Sequence, residues 1–210
     1  MELRDALVQI AEIRESMARG EVFRGYRAVT TGFSGVVAVV AGLVQPMVVG
    51  DVSSNAVGFV VFWVAAAAIC LMAVGVEMVV RTRRSHSDVQ RSLTMMAVEG
   101  FVPSVVAGGL MAYVFGAFIS GSVWMLPGVW MVLFAMGVFA SGRLLPREVF
   151  GVAGYYLLCG VAALVMGARG VVGPGVMMAV VFGVGQFCAA GVLWVRLERG
   201  ARKIVEVDDE

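Results

Sequence analysis

The chain has 210 residues, of which 60% are hydrophobic and a further 27 are glycine. Only 15% are charged, sixteen basic residues standing against fifteen acidic ones. A mean hydropathy of +0.91 excludes an ordinary soluble domain, in which roughly 45–50% of residues are apolar, and the balanced charge offers no general hold on nucleic acid.

Residues 1–27 are charged throughout and lack the apolar centre of a cleavable signal. Leu3, Leu7, Ile10, Ile13 and Met17 recur at steps of three and four, which predicts an amphipathic helix ending near Gly20. Two readings of that helix stand open. It lies on the membrane as an interfacial helix, or it docks a cytoplasmic or membrane partner, a second copy of the chain included.

Six apolar stretches follow, at 28–49, 56–80, 101–119, 123–141, 149–167 and 172–195. Each is long enough to cross about 30 Å of hydrocarbon as a helix. The run Val-Val-Ala-Val-Val-Ala at 36–41 and the four alanines at 65–68 do not alternate as barrel strands do. A helix also satisfies its own backbone inside lipid. The expected fold is therefore an all-α integral membrane protein: a six-transmembrane-helix bundle preceded by the amphipathic helix and followed by a charged tail at 196–210.

Direction follows from the arginines. Five precede the first stretch, four separate the second from the third, two separate the fourth from the fifth, and Arg196, Arg199, Arg202 and Lys203 follow the sixth. Only Arg169 lies on the other side, with Asp51 as its one acidic counterpart. The positive-inside rule then places both termini in the cytoplasm. Fifteen arginines to one lysine suggest a GC-rich bacterial genome and hence an inner membrane. The outer connections at 50–55, 120–122 and 168–171 are short, while residues 81–98 form the one long cytoplasmic loop and carry His86, the sole histidine.

No cofactor or metal site is expected, and nothing identifies an enzyme. Gly32-Phe33-Ser34-Gly35 superficially resembles the serine motif of rhomboid proteases, but no histidine lies in a second span to take the serine proton. Cys70, Cys159 and Cys188 sit in separate spans with no metal-ligand spacing. A weak internal repeat aligns Gly32–Gly35 with Gly151–Gly154, and Val60-Val-Phe62 with Val180-Val-Phe182.

The signal that remains lies in polar groups placed in or near the membrane, where they are costly. Gln186, Gln45, Ser34 and Thr31 form a candidate polar path. Glu77, Glu99, Arg27, Arg143, Arg147 and Arg196 fall at the inner ends of the spans, as either a belt of interfacial ion pairs or a cytoplasmic gate. The expected function is a small permease, channel or transporter membrane subunit for a neutral or lipophilic solute. The alternative is a non-transporting module that recruits a partner through residues 1–27 and 81–98, as a monomer or a homo-oligomer.

Overall fold

The computed structural model describes residues 28–84, 88–141 and 148–195; the amphipathic helix expected at 1–27 and the charged tail lie outside them. Six helices are long and apolar enough to cross a membrane. They are α1 (Ala28–Val48), α2 (Ala56–Arg84), α3 (Asp88–Ala117), α4 (Leu126–Ser141), α5 (Val149–Ala168) and α6 (Pro174–Leu193). A 3-10 turn, Ser120–Met125, leads into α4. The described residues contain no strand.

Successive helices pack antiparallel, and α6 returns to α1, so the six close into a ring. The end holding Ala28, Arg84, Asp88, Ser141, Val149 and Leu193 is termed basal, and the opposite end apical. The α1–α6, α3–α4 and α4–α5 seams are the most extensive. Lipid tails supply no hydrophobic drive between helices, so tight seams depend on small residues that let backbones approach. A Cβ at Gly42 would overlap that of Ala179, and one at Gly183 would lie 2.7 Å from Val39 Cγ2. Gly128 and Gly160 face each other the same way, each leaving room for the other's carbonyl oxygen across the α4–α5 seam.

Two apolar clusters fill the ring. The larger is apical and joins Ala41, Phe59, Trp63, Phe115, Leu126 and Met178 from five helices. The second joins Met131, Ala135, Val152, Tyr156 and Met177 across α4, α5 and α6. In its most apolar stretch α4 with its leading turn is 44% buried, whereas α2 is 17% and α3 11% buried. The second and third helices therefore form the loosely held side.

The ends carry their own signals. Asn55 caps α2, its Oδ1 accepting from the Gly58 N–H at 3.0 Å, so Asn55→Ala should cost about 1 kcal/mol in thermal unfolding. Before it, the Asp51 carboxylate accepts from the Ser53 hydroxyl and backbone N–H. These donors hold its carboxyl below the usual range. A depressed carboxyl supports structure above its unfolded pKa and loses that support as pH falls through the folded one. The turn should therefore stay ordered at neutral pH and loosen below about pH 4, followed by the Ser53 amide resonance; in Asp51→Asn that acid step should vanish. At the end of α5, Gly170 adopts φ +64, and the Val171 and Gly170 N–H groups return to Met166 and Gly167. This Schellman ending needs a residue free to turn left-handed.

Two expectations change. Residues 81–98 are not a long loop: α2 continues to Arg84 and α3 begins at Asp88. Hydropathy measures only where a helix is apolar, and a helix runs on beyond hydrocarbon wherever its residues permit. With that earlier start, Pro103 lies inside α3. The internal repeat finds no counterpart either. Gly35 packs against Gln186 and Phe187, but Gly151 and Gly154 face open space, and Val180-Val-Phe182 is π-helical where Val60-Val-Phe62 is regular α-helix.

Candidate functional site

The polar groups of the bundle fall into two sets. The first lies between α1 and α2 in the basal half. Thr30 Oγ1 donates to the Glu77 carboxylate, and Ser34 Oγ donates to the Thr30 carbonyl at 3.2 Å. One turn further along α1, Ser34 comes close to Cys70 across the seam. Thr31 is half-buried beside this set.

That set lies on a face of α2 with a changing environment. Phe59, Trp63, Ala66, Cys70, Ala73 and Glu77 follow one another at steps of four and three, and so share one side of the helix. Phe59 and Trp63 are 0% and 3% exposed. From Ala66 onward every member of the series is partly exposed, and residues 64–80 include no buried position. The side of α2 that is sealed at the apical end is thus open along the basal half. Its neighbour α3 turns its own basal face to α4 instead. Phe101 and Ser104 fit against Gly137 there, and Ser141 Oγ donates to the Ala97 carbonyl at 2.9 Å.

The second set surrounds a break in α6. Met178–Phe182 is π-helical, a pattern in which each N–H reaches one residue further back than in an α-helix and which recurs at functional sites. Two adjacent tyrosines of α5 attend it. Tyr155 donates its hydroxyl to Val181 O at 3.1 Å and Tyr156 to Phe182 O at 3.2 Å. Gln186 is half-buried, with its Cβ turned toward Gly35 and its side chain beside Tyr156. Phe134, Tyr156 and Phe182 enclose the break, with ring centroids 4.7 to 5.8 Å apart.

The expected path residues are therefore distributed over separate seams. Ser34 faces α2, Gln186 faces α1 and α5, and Gln45 is buried against Gly175 nearer the apical end of the α1–α6 seam. Of the expected belt, Glu77 bonds Thr30 and Glu99 is exposed on α3. Arg27, Arg143, Arg147 and Arg196 lie outside the described residues. Tyr155, Tyr156, Thr30 and Trp63 were not among the expected site residues. Two neighbouring phenols in an otherwise apolar span were a usable signal, because each hydroxyl in hydrocarbon requires an acceptor. Among the described residues, no three His, Cys, Asp or Glu side chains are grouped to hold a metal.

Six antiparallel helices of spanning length and apolar composition define a polytopic helical membrane protein. Comparison with family models, with curated proteins and with solved structures returns no match for this chain.

Proposed function

We propose that this protein is a small permease or transporter membrane subunit for an uncharged, lipophilic solute, seated in a bacterial inner membrane with its basal end in the cytoplasm. The observation that carries this reading is the unequal closure of the bundle along α2, sealed at Trp63 and open from Ala66 to Glu77. A permease paused between its two open states has one closed end and one accessible end. The open face carries hydroxyl, thiol and carboxyl groups at its margin and small apolar residues between them, which suits a neutral solute. Fifteen bases against one on the two sides support the orientation.

Cys70 lies midway along the open face and provides the test. With Cys159 and Cys188 replaced by alanine, a small charged methanethiosulfonate should label Cys70 in inverted vesicles but not from the outside of intact cells. Thiolate forms only where water reaches, so labelling reports the opening itself. A Cys70 unreactive from both sides would overturn the reading. In proteoliposomes, Glu77→Gln and Gln186→Leu should each slow solute flux on the order of tenfold, equivalent to about 1.4 kcal/mol at the barrier.

A second reading, that of a recruiting module, draws on the helical continuation of α2 and α3 past their apolar spans to Arg84 and Asp88. That continuation presents a basal hairpin to a partner. Deleting residues 2–20 should then abolish partner recovery and leave insertion intact.

A further inference from the structure

Trp63 closes the open face of α2 at its inner end. Its side chain is 3% exposed, yet Nε1 has no hydrogen-bond partner among the described residues. Other polar groups at this depth are matched: Trp130 Nε1 donates to Gly108 O at 3.0 Å, and both tyrosine hydroxyls have acceptors. A buried donor left unmade is a cost that native structures rarely carry without reason. A held water needs two or more polar partners, and the cluster packed around Trp63 brings apolar side chains such as Phe59, Phe115 and Met178 to the indole. What suits the donor is a molecule that brings its own apolar body and one acceptor.

We infer that the Trp63 Nε1–H is the recognition donor of a ligand site at the closed end of the α2 face, and that its ligand is an uncharged, mainly apolar molecule bearing one hydrogen-bond acceptor, such as a ketone or ester oxygen. Phe59, Phe115 and Met178 back the indole on the apical side. Ala66, small and partly exposed, packs on the cluster one turn to the basal side of Trp63, where the least bulk separates the indole from the open face. Charge is selected against by distance: Glu77 lies fourteen residues along α2 from Trp63, roughly 21 Å at the helical rise, so no counter-charge on α2 reaches the site. The inference rests on the permease reading for the route by which ligand arrives.

Protein labelled with 15N in nanodiscs should show one indole N–H correlation for each of its four tryptophans, and Trp63→Phe would identify the relevant one. Cyclohexyl methyl ketone should move that resonance downfield to saturation, and ethylcyclohexane, matched in shape, should leave it in place. Trp63→Phe should lower ketone affinity on the order of tenfold, toward that of the hydrocarbon. Ala66→Leu, which retains the indole and fills the approach, should abolish the shift while the other three indole signals keep their positions. Absence of a saturable shift with the ketone, ketone affinity unchanged in Trp63→Phe, or wild-type binding by Ala66→Leu would each overturn the site. The two proposals fail separately. A ketone shift with an unreactive Cys70 keeps the site and removes the permease route, whereas a labelled Cys70 with no shift does the reverse.

Discussion

Gly42→Leu is expected to abolish the native bundle, and Gly42→Ala to lower its stability by about 1–3 kcal/mol, the usual range for overpacking a tight interior. Even one methyl group at Gly42 would overlap the Ala179 Cβ and come within 3.3 Å of its Cα. The obstacle is backbone and a side chain with no rotamer to change, so α1 and α6 would have to separate along their whole seam. That separation also disturbs Gly35 against Gln186 and Gly183 against Val39. Unfolding in a mixed detergent series measures the loss. Gly42→Ala combined with Ala179→Gly should recover most of it, because the methyl group then passes from one helix to the other. Gly75→Ala and Gly109→Ala serve as controls, since a Cβ at either position meets nothing within 4 Å. Both should be neutral or slightly stabilising, as alanine is the better helix former by about 1 kcal/mol in water. Equal losses at all three glycines would remove the seam argument.

Tyr156→Ala should cost about 3–5 kcal/mol, comparable to deleting other large buried aromatics. The ring is 0% exposed and packs at a tilt against Phe134 and Phe182. A Cβ at Gly185 would sit 2.8 Å from Tyr156 Cε2, so α6 is shaped around the ring. The hydroxyl has a separate role, donating to the Phe182 carbonyl at 3.2 Å beside the Gln186 side chain. Tyr156→Phe keeps the packing and leaves that carbonyl without its partner, for an expected loss of about 1–2 kcal/mol. In a double-mutant cycle with Gln186→Leu the two losses should fall short of additive, because the two side chains are neighbours at the break in α6. Strict additivity would show that the amide and the phenol do not act together.

Much of the architecture was legible in the sequence because hydrocarbon thickness imposes a length that composition reveals. The predicted ends of the first, second and fifth spans fall within a few residues of their apolar helices. Hydropathy is blind where a helix leaves the membrane, which is why the start of α3 at Asp88 was missed. It is also blind to anything created between helices. The π-helical turn of α6 depends on Tyr155 and Tyr156 of another helix and on a seam with α1 that no local pattern encodes. Gln186 stood out as a costly group at depth, but its tyrosine neighbour could not be read from the sequence around it. Trp63 was not among the expected site residues, since nothing beside it in sequence sets it apart. Burial among side chains from five helices gives it a different place, and only the assembled ring defines that burial.

The tight fit of α1 to α6 also constrains the order in which the protein can be made. Membrane helices insert as they are synthesised, and α1 is followed by four others before α6 exists. Throughout that interval the surface bearing Gly32, Gly35 and Gly42 has no partner for its closest contacts. Neighbouring seams such as α3–α4 and α4–α5 can form as each helix arrives, but ring closure waits for the last helix to enter the bilayer. A chain stalled before residue 174 should therefore hold a partial bundle with α1 still unclamped, and biogenesis is most exposed to error at that stage.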